Sequence, residues 1–207
     1  MRFIKQIVAV LALLCASQVF AGLEPGKDYK VLNTPQPTRT GSKIEVLEFF
    51  FYGCSHCFKM HPPLTSWEKR MAKEVELVYI PTIFSSSWEP MARTFYSLEI
   101  LGQQKQLHDE LFNAWNVNNI DLRDEAKITE FVGQQGVDRK KFNEAYNSFA
   151  MQSKVTRSKQ LQQIYGIRAT PSFIVDGKYL VSGLGPEETI KVLDALIDKV
   201  RRARAGK

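Results

Sequence analysis

The sequence predicts an α/β fold in which a core of sheet and helix is interrupted by an inserted all-helical domain. Three observations predict it. Ile44 to Tyr52 is a nearly continuous apolar and aromatic run closed by Gly53, the pattern of a strand buried on both faces. From about Ser87 to Ile164 no segment reads as a strand, and apolar residues recur at helical spacing. Strand patterning then returns at Ser172–Val175 and Tyr179–Ser182, around Asp176-Gly177-Lys178. Asp-Gly between apolar runs is a strong hairpin signal.

Residues 1–21 read as an export signal. Arg2 and Lys5 form a positive start, IVAVLALLCA is a short apolar stretch, and Val19-Phe20-Ala21 suits cleavage after Ala21. The run is too short to span a bilayer comfortably. Cys15 raises a lipoprotein signal as a competitor, but Leu14 stands where a small residue is expected. Simple cleavage is preferred.

Residues 22–43 are a Pro/Gly-rich lead-in with a short strand expected at Tyr29–Leu32. After the Ile44–Tyr52 strand, helix-forming residues start at Cys54, and Pro62-Pro63 should kink or restart that helix. Val75–Ile80 reads as a second strand stopped by Pro81, which leaves Cys54 at a strand-to-helix turn of a β-α-β unit. In the middle segment Met91, Phe95 and Leu98 make one stripe, and Leu107, Leu111 and Trp115 another. Ile128, Phe131 and Val132 begin a third. Phe142, Tyr146 and Phe149 make a fourth, with Asp138 as N-cap. Such stripes are core, and no cofactor is assigned to them. Gly185-Pro186-Glu187-Glu188 opens the last helix, with Ile190, Leu193, Ile197 and Val200 facing inward.

Composition excludes some functions. The chain has 207 residues, is 44% hydrophobic and carries a net charge of +6. That supports one substantial core, or one domain with an insertion. Basic residues are scattered except for Arg201, Arg202, Arg204 and Lys207 at the C-terminus, which read as a solvated helix end. No basic stripe with interleaved aromatics is present, so nucleic acid is a weak partner.

Cysteine arithmetic is more telling. Removing residues 1–21 deletes Cys15 and leaves Cys54 and Cys57, spaced C-x-x-C. Exported proteins keep disulfides. A loop this small makes a poor staple, because loop-closure stabilisation grows with length. A structural zinc site wants four ligands, and no second C-x-x-C or H-x-x-x-H follows. A chemical role remains, against an inert buried pair. C-x-x-C in a β-α-β context reads as a thioredoxin-like redox motif.

The resemblance becomes specific with three features: Cys54-Ser55-His56-Cys57 after an E-F-F strand, the helical insertion, and Ala169-Thr170-Pro171 before the hairpin. In element order the whole exported chain resembles the DsbA family of periplasmic thiol:disulfide oxidoreductases. The implied fold is thioredoxin-like, over residues 22–86 and 165–207, with a helical insertion domain at 87–164. The implied reaction is donation of the Cys54–Cys57 disulfide to reduced exported proteins in the periplasm of a Gram-negative bacterium. The implied reoxidant is a membrane quinone-linked partner of the DsbB type. A monomer is expected, with no cofactor and no metal. Two positions depart from the family pattern. Ser55 replaces proline, and Thr170 replaces valine before the cis-proline; both bear on redox poise.

The residues support roles of their own. Cys54 at a helix N-terminus meets unpaired N–H groups and the positive dipole end, so its thiolate should be stabilised and its pKa lowered. Cys57, one turn further in, should be less exposed and act as the resolving or leaving thiol. His56 can give the thiolate a hydrogen bond or a positive charge; a solvated turn residue is its bland alternative. Glu48, in a doubly buried strand six residues before Cys54, should have its pKa raised by desolvation. There it can relay a proton to or from Cys57, a role the resemblance also implies; an ion pair with Lys59 is the structural alternative. Thr170-Pro171 is expected as a cis-proline loop that pairs with extended substrate; an ordinary trans proline is the alternative.

Two other functions fit part of the pattern. A reductase or isomerase of the same fold suits Thr170. A periplasmic copper carrier would use Cys54, Cys57, Met60 and His61, but Met60 and His61 adjoin on a helix and read as partly exposed.

Overall fold

The computed structural model describes residues 23–206. The expected signal at residues 1–21, with Cys15, lies outside the described residues. Five strands form one sheet: β1 (Lys30–Val31), β2 (Ile44–Phe50), β3 (Val75–Pro81), β4 (Ser172–Val175) and β5 (Tyr179–Ser182). Their order is β1-β5-β4-β2-β3. β2 runs parallel to β3 and antiparallel to β4, and β4 is antiparallel to β5. β2 is therefore an interior strand paired on both edges, and all seven of its residues are buried.

Helices cover both faces. On one face, α1 (Ser55–Arg70) and α7 (Pro186–Ala205) pack Met60, Leu64, Trp67, Leu193 and Leu196 against Val46, Phe173 and Val175. Trp67 Nε1 donates to Asp194 Oδ1 at 2.7 Å, pinning the two helices together. On the other face, Leu47, Phe49, Ile80 and Ile174 pack against Leu161 and Tyr165. Leu161 belongs to α6 (Phe149–Ile164). Alternation along β2 makes this division, since successive side chains point to opposite faces.

Between β3 and β4, after a short 3₁₀ turn at Ser86–Trp88, lie α2 (Glu89–Ile100), α3 (Gln104–Asn116), α4 (Glu125–Gln134), α5 (Arg139–Tyr146) and α6. Their core joins the end of β2: Phe50 and Tyr52 pack with Phe95, Leu111 and Phe112. The Asp138 cap is present, its carboxylate accepting the Lys141 N–H at 3.0 Å.

Four expectations are corrected. α1 is not restarted at Pro62-Pro63 and continues to Arg70. Each proline deletes one intrahelical hydrogen bond, but Met60, Leu64 and Trp67 are buried on either side, and that packing holds the helix as one element. Met60 and His61 are not partly exposed; they are 1% and 8% accessible, because α1 is covered by the sheet and by α3. Phe149 does not extend the stripe of Phe142 and Tyr146. It opens α6, 87% exposed, because Asn147 and Ser148 end one helix and cap the next. The basic C-terminal end is not merely solvated. Arg201 Nε donates to Glu74 at 2.6 Å, and Arg204 reaches the buried Asp176 at 2.5 Å.

Candidate active site

The two cysteines sit where β2 hands over to α1. The chain turns at Phe51–Cys54, with the Cys54 N–H bonded to the Phe51 carbonyl at 3.0 Å. Cys54 is the N-cap of α1, and its Sγ accepts the Cys57 N–H at 3.4 Å. A side chain at this position faces the unpaired N–H groups of the first turn. Both cysteines are free thiols; Cys54 is half-buried and Cys57 is fully buried.

The two thiols are driven apart in acidity. Cys54 is lowered to about 5. The largest cause is the Cys57 side chain hydrogen-bonded to it, and the Thr170 side chain and the Cys57 and His56 backbone N–H groups add to this against burial. Cys57 is pushed far above the ordinary thiol range, chiefly by burial, then by its bond to Cys54 and by the Glu48 charge.

His56 is exposed, and its side chain makes no hydrogen bond among the described residues. Its help to Cys54 comes through its backbone N–H, a contact that any residue but proline can make at this position. The Thr170–Pro171 peptide bond is cis. The Thr170 carbonyl lies 3.4 Å from Cys54 Sγ and accepts from the thiol. The loop before β4 thus stands directly against the Cys54 sulfur.

Glu48 occupies the middle of β2, 3% exposed, directly opposite Tyr79 on β3 and Phe173 on β4. It has no ion-pair partner among the described residues, and Lys59 is exposed. The expected alternative of an ion pair with Lys59 is not formed. Burial first, then the Cys54 thiolate and Glu68, raise Glu48 to about 8. At neutral pH it is therefore mostly a protonated acid beneath the cysteines.

The sequence reading missed a buried polar cluster between α1 and α3. His108 packs edge-on against Phe50 at 5.3 Å and His61 at 4.9 Å, and the Tyr52 hydroxyl bonds its Nδ1 at 2.7 Å. Burial holds His108 well below the ordinary imidazole range, so it is neutral. His61 Nε2 pairs with Asp109 Oδ1 at 2.6 Å; the carboxylate only accepts, which puts the proton on Nε2. The signal was available in part: Gln104, His108 and Phe112 repeat every fourth residue. A second buried acid, Glu45, was overlooked in the same apolar run, where it accepts the Arg39 backbone N–H at 2.9 Å. The soft ligands of the copper reading are divided. Met60 packs with Leu64 and Trp67, whereas Cys57 packs with Phe50 and Phe95.

An acidic N-cap cysteine, a buried partner thiol three residues on and an adjacent cis-proline loop, on a sheet flanked by helices, define a thiol:disulfide oxidoreductase of thioredoxin-like fold. Comparison with known proteins gives the family. The model of the DSBA-like thioredoxin domain matches residues 80–193. The thiol:disulfide interchange protein DsbA of Pseudomonas aeruginosa is 35% identical over 181 residues, covering 86% of each chain. Its namesake in Pseudomonas syringae pv. tomato is 34% identical and covers 96% of this chain and 97% of its own. A crystal structure of Pseudomonas aeruginosa DsbA superposes with a TM-score of 0.84 at 34% identity, over 89% of this chain and 97% of that one. The chain belongs to the DsbA family.

Proposed function

We propose that the protein works in the periplasm of a Gram-negative bacterium, as a monomer, and donates the Cys54–Cys57 disulfide to reduced exported proteins. A substrate thiolate attacks Cys54 Sγ, the S–S bond breaks, and Cys57 leaves. Glu48, a neutral acid at pH 7, gives its proton to the departing Cys57 sulfur, whose affinity for a proton is the higher of the two. A second substrate thiolate then attacks the substrate sulfur of the mixed disulfide and expels Cys54 as thiolate. The substrate dithiol has lost two electrons and two protons, one proton restoring Glu48 and the other passing to solvent, and the protein holds the Cys54 thiolate and the Cys57 thiol. A membrane quinone-linked partner of the DsbB type takes the two electrons back.

The observation that carries this reading is Cys54 at the N-cap of α1, its pKa lowered to about 5. A stabilised thiolate makes the disulfide easier to reduce, by ~30 mV for each ~1.4 kcal/mol in a two-electron couple. This favours an oxidant over a reductase or isomerase, even with Thr170 before the proline. Thr170 and Pro171 are assigned to substrate positioning, supported by the Thr170 carbonyl beside Cys54. His56 is assigned to the active site through its backbone N–H. The division into residues 22–86 with 165–207 and an inserted domain at 87–164 is supported by the purely helical content between Ser86 and Ile164.

Variants test the chemistry. Cys54→Ala abolishes oxidation of a reduced peptide, and Cys57→Ala accumulates mixed disulfides with it. Undiminished activity in Cys54→Ala overturns the assignment.

A further inference from the structure

On the opposite side of the sheet from α1, a cavity of about 360 Å³ opens beside the edge strand β3. It is formed with α2 and α6 and shares no lining residue with Cys54, Cys57, Glu48 or Pro171. Val78 and Ile80 of β3 and Leu161 of α6 give it an apolar wall. Its polar side is cationic. Arg39, Lys154 and Arg157 line it against a single acid, Glu99.

The charges there are not balanced. Lys154 and Glu99 satisfy each other at 2.8 Å. Neither Arg39 nor Arg157 is in an ion pair among the described residues, where side-chain hydrogen bonds from both are also lacking. The Arg157 Nε is buried with no acceptor. Glu45 takes the backbone N–H of Arg39 rather than its guanidinium. A buried donor left unmade is unfavourable by roughly 1–3 kcal/mol, more for a charged group, so this arrangement calls for an acceptor from outside the chain.

We propose that this cavity binds a small amphiphilic carboxylate, with an apolar or aromatic body against Val78, Ile80 and Leu161 and its carboxylate on Arg157 and Arg39. The guanidinium fork matches a carboxylate in two parallel hydrogen bonds. The volume lies within the ~300–1,000 Å³ range of small-molecule sites, and a mostly apolar lining with a few convergent polar groups is their common form. A bare phosphate satisfies the arginines but leaves the apolar wall wet. The anion therefore has to carry a hydrophobic group.

The test is a ¹H–¹⁵N titration of the intact protein with 4-phenylbutyrate, its neutral amide and inorganic phosphate. Expected are saturable shifts at Val78, Ile80, Tyr96 and Leu161 with 4-phenylbutyrate, and much weaker ones with the amide or phosphate. Arg157→Gln should weaken binding about tenfold or more, which is the loss of ~1.4 kcal/mol or above, while disulfide-exchange activity stays unchanged. Arg39→Gln provides a second, more exposed variant, so that misfolding of one does not decide the matter. The proposal is overturned by no saturable shift up to the order of 10 mM, by equal binding of acid and amide, or by undiminished binding in both variants. Phosphate alone giving the same shifts as tightly would replace it with a bare anion site. Shifts centred on Cys54 and Pro171 would return the ligand to the active site.

Discussion

Cys54 and Glu48 are displaced in opposite directions by the same short stretch of chain. Cys54 draws on the Cys57 side chain and on N–H groups at the start of α1 and falls to about 5. Alkylation of the reduced protein by iodoacetamide should therefore show a reactive thiol titrating near pH 5, with Cys57 modified only on unfolding. A midpoint near the ordinary thiol value of ~8.5 would overturn this. Glu48 lacks a partner, so burial dominates and it rises to about 8. A carboxyl raised in the folded state weakens folding as pH climbs from its unfolded value of 4.5 towards 8. Glu48→Gln should raise thermal stability at pH 7, by no more than about 3 kcal/mol at ~1.36 kcal/mol per pH unit. The gain should shrink towards pH 5 and vanish below 4.5. It should also be accompanied by slower exchange at Cys57. A stabilisation that does not vary with pH would point to packing instead.

At the scale of elements, the β4–β5 hairpin shows how local chemistry and tertiary contact combine. Asp176 and Gly177 both have positive φ, 51° and 65°, as a tight hairpin of this kind requires. The glycine is further constrained, because a Cβ there would lie 2.1 Å from the Gln36 carbonyl oxygen of the lead-in. The same lead-in residue bonds the Gly177 carbonyl at 2.9 Å. Gly177→Ala should lose about 2 kcal/mol or more, from a strained φ together with displacement of residues near Gln36. Chemical denaturation would measure it, and a loss under ~0.5 kcal/mol would show that the lead-in is free to move away. α1 teaches the complementary lesson: two prolines that lower local helix stability are tolerated where the helix is buried on both sides of them.

At the scale of the molecule, β2 links the cysteine pair to both helical layers. Val46 packs under α1 and α7, Leu47 and Phe49 under α6, and Phe50 among α2 and α3. Each aromatic fully buried there contributes roughly 1.5–3 kcal/mol. The reduced protein gains a further increment that the oxidised one lacks, the stabilised Cys54 thiolate. A thiol lowered from 9.0 to about 5 stabilises fully above the unfolded value, and the effect is lost as pH falls through 5. The reduced form should then unfold at a higher temperature than the oxidised form at pH 7, and the gap should close towards pH 5. Calorimetry of both forms checks this. A more stable oxidised form would mark the disulfide as a structural one and remove the oxidant reading.

Much of this was determined by the sequence itself, because it depends on periods and on neighbours. A nearly continuous apolar run, Ile44–Tyr52, closed by Gly53 reads as a doubly covered strand, and Asp176-Gly177 between apolar residues specifies a hairpin. Cys54, three residues from Cys57 and just past a strand, was placed at a helix N-terminus by local order alone. Glu48 was legible because an acid in such a strand is anomalous. What only the tertiary structure decided rests on contacts across long stretches of chain. The pairing of His61 with Asp109, the Tyr52–His108 bond, the clasp of Arg204 on Asp176 and the orphaned Nε of Arg157 join residues between 28 and 56 positions apart, or leave one without a partner. Local patterning shows that such residues are polar. Only the packing of α3 on α1, and of α6 on the sheet, determines which of them are cut off from water and what they meet there.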